Sequence, residues 1–406
     1  MSTGEICDQD NGSPVGLLSL RPLAFVDDIA KLNITTDDVQ SSHARTLSFS
    51  KLKKLGLNVP KCCGMEVNST KNSNTFPNLY VNGELIALVK SSKYLGDIIN
   101  NKNNNEDMMV EREKKAIGKL ISIFATTNEV TFGAYLYESL LIMYRAKYLP
   151  TLITNCQSWT NITNKNIEKL RILQLKYLKK MLRVPQATAN CFIYLETGIL
   201  PIDHEIWRRQ FTFLHHILNL VDDDPVKVMY QQMKKLPQER NWANKITELR
   251  KTYDIRVTDE EIEGMSIFRF KNLIKTSIET VVFEELKSEC AIKSKTKHLQ
   301  YNSFTQQHYI TELPPKLMYI VTRIRCSMLN TIHDRPYLYR GVEKCRVCNI
   351  GDESLHHIIN CYVISSKIQT VCPSIFTDDF SKDYAKELAE YVERFYQAEM
   401  ETAELE

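Results

Sequence analysis

The segment KNIEKLRILQLKYLKKMLR, residues 165–183, carries the helical pattern on which the fold class rests. At about 100° per residue, its apolar side chains fall on one face: Ile167, Leu170, Tyr177, Leu178, Met181 and Leu182. Six basic residues fall within an opposite arc roughly 100° wide: Lys165, Lys169, Lys176, Lys179, Lys180 and Arg183. The segment therefore predicts an amphipathic helix with one face packed in a core.

The one-sided charge of this helix admits two interpretations. A row of cations suits a row of phosphates, since each neutralised phosphate releases counterions and makes binding sensitive to salt. The alternative is a solvated lysine face, but such a face normally mixes both signs. Glu168 is the only acid in the segment, so the pattern favours phosphate contact, without implying sequence specificity.

Helical patterns continue on both sides of this segment. They run over 106–127, 134–149 and 202–220, with breaks expected near Pro150, Pro185 and Pro201. A charged span over 222–302 is weakly patterned, a further helix is predicted near 315–330, and 381–406 predicts an acidic amphipathic helix. Glycine, 13 of 406 residues, is scarcer than the usual ~7%. Together these features predict a predominantly helical α+β chain.

Composition limits the class of protein and its compartment. Lys and Arg number 52 against 49 Asp and Glu, a net charge of +3, so affinity for nucleic acid must come from local clustering of charge. The first ten residues lack a signal-peptide core, and no run of about 18 apolar residues occurs. We therefore expect an intracellular chain, nuclear or cytoplasmic, with no membrane partner. The oligomeric state stays open.

An acidic pair lies in the first thirty residues. Asp27 and Asp28 stand between the apolar runs 23–26 and 29–30, which places two carboxylates at the tip of a buried hairpin. Such a pair needs a cation, and Mg²⁺ with hard oxygen ligands is the usual one in nucleotide addition. The alternative is an ordinary acidic turn. A second hairpin is predicted over 79–99, because Asn82-Gly83 separates two apolar runs.

A cysteine and histidine cluster lies near the end of the chain. Three cysteines and a histidine, Cys345, Cys348, His356 and Cys361, form the ligand set of a tetrahedral Zn²⁺ site. Four protein ligands leave no open position for water, so the zinc would be structural. His357 is a rival to His356 because it lies four residues before Cys361. The remaining alternative is three incidental cysteines among the 11 of the chain.

Three motifs in order resemble the palm of non-LTR retrotransposon reverse transcriptases. They are Phe25-Val26-Asp27-Asp28, the segment LGLNVPKC at 55–62, and Lys93-Tyr94-Leu95-Gly96. The resemblance implies that Asp27 and Asp28 bind the catalytic metal and that Lys61 lies near the incoming nucleotide. It also implies that Tyr94 and Gly96 lie near the primer. For Lys61, a solvated surface lysine is the alternative.

The resemblance extends to residue 362. The segment YLETGILPI at 194–202 and Trp207-Arg208-Arg209 are similar to the region after the palm in lineages that carry a nuclease. A cluster with the Cys345 spacing comes after the thumb in this family, behind a helix with arginines, here Arg323 and Arg325, and the family spacing selects His356. The implied domains are a partial palm 1–103, a helical thumb 104–224, a connector 225–332, a zinc motif 333–365 and an acidic tail 366–406.

The function implied is that of a fragment of an RNA-directed DNA polymerase that binds RNA, DNA or an RNA–DNA hybrid. Only 26 residues precede Asp27, and none offers the third catalytic aspartate of the family in a strand pattern. We therefore expect no polymerisation by the chain alone, and no nuclease set is found after Cys361. The rival hypotheses are a retained host protein that binds nucleic acid or protein with a structural zinc site, and an open reading frame that folds poorly.

Overall fold

The computed structural model describes residues 13–15, 18–20, 23–25, 28–68, 76–127, 133–160, 162–236, 241–339, 341–364, 368 and 372–403. Helix accounts for 59% of the structure and strand for 6%, which confirms the predominantly helical α+β class. No helix in these ranges is both long and apolar enough to cross a bilayer.

Ten short strands lie in the described part of the first hundred residues. They are β1 Ser13–Val15, β2 Leu18–Leu20, β3 Leu23–Phe25, β4 Asp28–Ala30, β5 Cys63–Gly64, β6 Tyr80–Val81, β7 Glu84–Leu85, β8 Ala87–Leu88, β9 Ser91–Tyr94 and β10 Asp97–Asn100.

Fifteen α-helices are seen in the described ranges. They are α1 Thr36–Leu52, α2 Glu106–Thr126, α3 Leu136–Met143, α4 Leu149–Ile153, α5 Asn164–Met181, α6 Asn190–Thr197, α7 Ile202–Leu218, α8 Pro225–Lys234, α9 Trp242–Thr252, α10 Asp259–Glu263, α11 Ile267–Ile292, α12 Tyr309–Glu312, α13 Pro315–Arg325, α14 Leu355–Ile359 and α15 Lys382–Ala403.

The chain divides into two compact units, each built from several segments. Unit 1 comprises 1–111, 155–163 and 209–270, and unit 2 comprises 112–154, 164–208 and 271–406. Both units therefore draw on distant parts of the sequence.

The strands of unit 1 pair as five separate two-stranded ribbons. The predicted Asn82-Gly83 hairpin is confirmed: β6 pairs with β7, and both turn residues have positive φ, 51° and 85°. Farther along the predicted span 79–99, the chain turns again at Leu95-Gly96, so β9 pairs antiparallel with β10. Glycine suits this turn because Gly96 has a φ of 92°.

The helical part of unit 1 is held by buried side chains that satisfy main-chain groups. The Gln210 amide donates to the carbonyls of Cys156 and Trp159, and the Trp242 indole donates to the carbonyl of Gln157. Asp259 accepts from Tyr230, Lys234 and Arg250. Because buried polar groups are costly unless they are paired, these bonds define how α7, α8, α9 and α10 pack.

The core of unit 2 centres on tyrosines from consecutive helices. Tyr177 of α5 stacks on Tyr144 and Tyr148 with ring centroids 5.3 and 4.7 Å away, and its hydroxyl donates to the carbonyl of Leu140. Gln174 donates to the Tyr144 hydroxyl and to the carbonyl of Leu200. The apolar face predicted for the 165–183 helix is therefore the one that is buried.

A helix break predicted near Pro150 does not occur there. Residues 144–148 form a π-helical turn, and α4 continues through Pro150 to Ile153. Pro150 lies in the first turn of α4, where its missing N–H is tolerated. The buried Arg112 then donates to the carbonyls of Thr151, Leu152 and Thr154, which satisfies the end of the helix.

A fully buried ion pair joins α6 to α13 within unit 2. Both side chains, Glu196 and Arg325, have 0% exposure, and Arg325 Nη2 lies 2.8 Å from the Glu196 carboxylate. Tyr301 and Tyr309 donate to the same carboxylate at 2.6 Å. The corner after α6 needs Gly198, because its φ is 61° and a Cβ there would meet the Gln306 nitrogen at 2.6 Å. Both residues of the Glu-x-Gly pattern at 196–198 therefore have a structural role: Glu196 forms the buried ion pair, and Gly198 forms the corner.

Candidate nucleic-acid interface and metal centre

A cleft of about 630 Å³ opens on unit 2 beside the last turns of α5. Five basic side chains line it, with Leu120, Val184 and Gln186 between them: Lys176, Lys179, Lys180, Arg183 and Arg323. Lys176, Lys180 and Arg183 are exposed. Among the residues that the structure describes, no acidic residue lines the cleft. The arrangement concentrates positive charge in a concave surface, which raises the local concentration of anions.

Arg183 lies at the point where α5 ends in a Schellman motif. The N–H of Arg183 bonds the carbonyl of Lys180, and the N–H of Val184 bonds that of Lys179. The motif gives Arg183 a φ of 49°, a left-handed conformation that glycine normally supplies. A non-glycine residue in this conformation lowers stability by about 1–2 kcal/mol. The arginine at this position therefore has an unfavourable backbone conformation.

Neighbouring groups hold three of the cleft cations in place. The Arg183 guanidinium stacks over Tyr319 at 4.3 Å, and Arg323 donates two hydrogen bonds to the Arg183 carbonyl, at 2.8 and 3.1 Å. Lys180 Nζ lies over the Phe124 ring at 4.7 Å. Ordering before binding reduces the entropy that a ligand must remove from these long side chains.

Lys179 departs from the predicted basic arc. Its side chain is 5% exposed, and its Nζ donates to the carbonyl of Gln186 at 2.7 Å. Burial, followed by the charge of Lys293, lowers the pKa of Lys179. The prediction that it faces solvent with the other basic residues is wrong, because the chain reverses after Arg183 and covers it. Lys165 is exposed and Lys169 is half-buried, and neither lines the cleft.

The metal centre is built from one loop and one short helix of unit 2. Cys345, Cys348, His357 and Cys361 place their ligand atoms within 4.8 Å of one another. The Cys348 sulfur and His357 Nε2 are 3.2 Å apart. In a tetrahedral zinc site the ligand atoms are roughly 3.5–3.8 Å apart, as Zn–S and Zn–N bonds of about 2.3 and 2.0 Å require. Donor type and spacing therefore fit Zn²⁺.

The histidine that the structure brings together with the three cysteines is His357, which corrects the prediction of His356. Helix α14 is short, and Ser354 caps it by accepting from the His357 N–H. This start of the helix turns His357 toward the three sulfurs and leaves His356 exposed. Gly351 makes room for the ring, because its φ is 68° and a Cβ there would lie 3.3 Å from His357 Nδ1.

An ion pair supports the loop that carries the first two cysteines. Arg346 donates to both carboxylate oxygens of the buried Glu353 and stacks over Tyr339 at 4.1 Å. Burial raises the pKa of the Cys345 thiol to about 12 and also raises that of Cys361. A bound cation reverses this preference because it stabilises the thiolates. The four ligands leave no open coordination position, so bound Zn²⁺ would stabilise the loop.

The predicted catalytic residues stand apart from these sites. Strands β3 and β4 pair Phe25 with Asp28, which confirms a hairpin at the acidic pair. Asp28 is exposed, Leu23 is 48% exposed, and Ile29 is half-buried. The described residues of this hairpin are therefore less buried than expected. Asp27 lies outside the described residues. In the described part of the chain, the cysteine cluster is the one group of three or more candidate metal ligands, and Asp28 is not in it.

The other residues assigned by resemblance lie on turns and ribbons of unit 1. Lys61 ends a short 3-10 turn, Val59–Lys61, and is exposed. Tyr94 is half-buried beside the exposed turn residue Gly96. Their contacts with nucleotide and primer stay predictions.

Sequence reasoning missed several residues of the cleft. Arg323 was noted only as an arginine before the zinc motif, and Tyr319 and Phe124 were not considered. Tyr319 and Arg323 lie at i and i+4 on α13, a spacing that places them on one helical face and that the sequence does show. No protein-family model matches this chain, and no curated protein matches its sequence.

Proposed function

We propose that this chain binds nucleic acid, with the phosphate backbone of a template–primer duplex lying in the basic cleft of unit 2. The observation that carries the proposal is the convergence of four basic side chains on one concave surface: Lys176, Lys180, Arg183 and Arg323. None of the described residues that line this surface is acidic. A duplex presents one negative charge per about 1.7 Å of its axis, so a cleft of this size faces several phosphates.

The way the cleft is built favours a backbone ligand over bases. Arg183 and Lys180 are already seated on aromatic rings, so these rings do not offer free faces for stacking. Cations alone contact phosphates without reading sequence. The proposed binding is therefore salt-sensitive and indifferent to base sequence.

The choice of a template–primer as ligand rests on the resemblance to non-LTR reverse transcriptases. The proposal places the chain in an RNA-directed DNA polymerase, with the cleft as part of a thumb and Zn²⁺ stabilising the loop of Cys345. Nucleotide addition is left out of the proposed activity, because among the described residues Asp28 has no partner carboxylates that would complete a metal cage.

The test is fluorescence anisotropy of a labelled RNA–DNA hybrid with the zinc-loaded chain. Lys176→Glu with Lys180→Glu should abolish measurable binding at moderate salt, because two attractive contacts become repulsive. The matched control is Lys271→Glu with Lys382→Glu. Both residues are exposed lysines of unit 2 outside the cleft, and the same change in net charge should leave affinity within about twofold.

Two outcomes contradict the proposal. Equal losses in the cleft and control variants would mean that bulk charge, and not the cleft, drives binding. No binding by the wild-type chain at low salt would mean that the cleft does not hold nucleic acid. A hybrid and a DNA duplex of the same length, compared side by side, then distinguish a template–primer from any duplex.

A further inference from the structure

The basic cleft of unit 2 is lined by other groups besides its cations. Leu120 and Val184 lie between the basic side chains, and among the described lining residues Gln186 alone has a neutral side chain that forms hydrogen bonds. Phosphates need neither an apolar contact nor an amide, whereas a sugar offers C–H groups and hydroxyls. The lining therefore fits the sugars of a strand as well as its phosphates.

The main chain around Gln186 is held on both sides. Its carbonyl accepts a hydrogen bond from Lys179 Nζ at 2.7 Å, and the N–H of Thr188 bonds the carbonyl of Pro185 at 3.0 Å. The side chain of Gln186 is exposed, and its amide has no hydrogen-bond partner among the described residues. An amide on a fixed main chain is suited to bind a ligand, because little backbone order has to be gained on binding.

We propose that Gln186 makes this cleft prefer a ribose strand to a deoxyribose strand, because its amide bonds the 2′-hydroxyl group. An amide has a donor and an acceptor, and the 2′-hydroxyl has both as well, so the two groups can pair in either direction. Lysine and arginine side chains only donate, and the phosphates that they contact are common to both kinds of strand. The inference rests on the proposed function and names the strand that lies in the cleft.

The exposure of Gln186 limits the size of this preference. An amide at the surface exchanges a hydrogen bond with water for one with the ligand, so only the net value of one bond is gained. We expect a roughly two- to tenfold preference for ribose from one contacted sugar. The cations contribute equally to the binding of ribose and deoxyribose strands, since the phosphates are the same. Gln186 therefore determines the choice of strand, while the cations supply most of the affinity.

The experiment compares two duplexes of one sequence and length by competition anisotropy with the zinc-loaded chain. One is an RNA–DNA hybrid, and the other is the same hybrid with 2′-fluoro groups in place of the hydroxyls of its RNA strand. Fluorine removes the hydroxyl donor and keeps the A-form sugar pucker, so the two duplexes differ in the hydroxyl and share the helix shape. The wild-type chain should bind the ribose hybrid roughly two- to tenfold more tightly than the fluoro hybrid.

A neutral substitution separates the hydroxyl contact from the effect of charge. Gln186→Met keeps the length of the side chain and the net charge but removes the amide. This variant should bind the two hybrids equally, and its affinity for the fluoro hybrid should stay within about twofold of the wild-type value, with the same salt dependence. The matched control is Gln300→Met, at an exposed glutamine of unit 2 outside the cleft, which should keep the wild-type preference.

Three outcomes would overturn the inference, and they differ in what they mean for the proposed function. Equal affinity of the wild-type chain for both hybrids, with binding still abolished by Lys176→Glu and Lys180→Glu, would overturn the inference and leave the proposed function standing. A ribose preference that persists in Gln186→Met would mean that another group contacts the hydroxyl. No binding of either hybrid at low salt would overturn the proposed function and the inference together. The first and third outcomes are decided with the wild-type chain and do not require that Gln186→Met folds.

Discussion

The salt dependence of binding is the sharpest prediction from the basic cleft. Three of its cations, Lys176, Lys180 and Arg183, are exposed, whereas Lys179 donates to Gln186 and Arg323 donates to Arg183. If the three exposed cations each neutralise one phosphate of a B-form duplex, log K falls with log [salt] at a slope of about −2.7. Affinity should then drop roughly 40-fold between 50 and 200 mM salt.

Neutralising two of these cations should change the slope by a predictable amount. Lys176→Gln with Lys180→Gln leaves one exposed cation, so the slope should fall to about −0.9 and the loss over the same salt range to roughly 3.5-fold. Anisotropy of a labelled DNA duplex at five or six salt concentrations measures both slopes. Lys271→Gln with Lys382→Gln serves as the control and should keep the wild-type slope.

A double variant that binds more weakly at every salt concentration with an unchanged slope would refute the reasoning. That result would mean that the two lysines shape the protein without contacting phosphates. A wild-type slope near −5 would show that Lys165, Lys169 or residues of unit 1 also contact the duplex, and that the cleft is only part of the surface.

Three further predictions concern single residues. The His357→Ala variant should lose its zinc during dialysis against a mild chelator, and its melting temperature should be lower than that of the wild type. The control variant His356→Ala should keep one zinc per chain, as measured by metal analysis. Equal zinc retention in the two variants would exclude His357 as a ligand. Glu196→Ala should lower the free energy of unfolding in urea by about 3–5 kcal/mol, because it leaves Arg325 buried without its partner. The control Glu312→Ala, at an exposed ion pair, should lower it by under about 1 kcal/mol. Similar losses in the two variants would contradict a stabilising role of the buried Glu196–Arg325 ion pair. Arg183→Gly should change the free energy of unfolding by less than about 1 kcal/mol, since relief of the left-handed backbone offsets the lost stacking on Tyr319. It should nevertheless reduce the slope of log K against log [salt] by about 0.9. A large loss of stability without a change in this slope would mean that Arg183 has a structural role and does not contact phosphate.

Long helices were the part of the fold that the sequence predicted well. The predicted spans 106–127, 166–182 and 202–220 agree with α2, α5 and α7 to within about two residues at each end. The tail helix was expected from 381 onward, and α15 begins at Lys382 and buries Leu388, Val392 and Phe395 as predicted. These helices were predictable because each repeats its apolar face over four or more turns.

Short elements were predicted less well because tertiary contacts decide them. The ribbons of unit 1 have strands of two to four residues, too short for an alternating pattern to fix their length or partner. The carbonyls at the end of the helix that passes through Pro150 are satisfied by Arg112, which lies 38 residues before Pro150. A periodicity argument over a local window contains neither contact.

Lys179 shows that the exposed residues of a correctly predicted helix can still be assigned wrongly. On the helical wheel it lies at the edge of the basic arc, about 40° from Lys165. The Schellman turn at Arg183 brings Gln186 back over this edge, where its carbonyl accepts from Lys179. The same chain reversal aims Arg183 at Tyr319 and lets Arg323 reach its carbonyl. One left-handed residue thus buries one lysine and assembles the cleft around the others.

The candidate zinc ligands also show that a local sequence pattern does not fix which of two neighbouring side chains faces a site. Three cysteines at fixed spacing were enough to predict a cluster of candidate metal ligands, because three thiolates and an imidazole are the ligand set of a tetrahedral Zn²⁺ site. Choosing between two adjacent histidines required the direction of a helix of five residues, Leu355–Ile359. That direction depends on the Ser354 cap and on Glu353, which is buried against Arg346 and anchors the residue before the cap. The pair Arg346 and Glu353 therefore anchors the main chain next to the cap of the helix that carries His357.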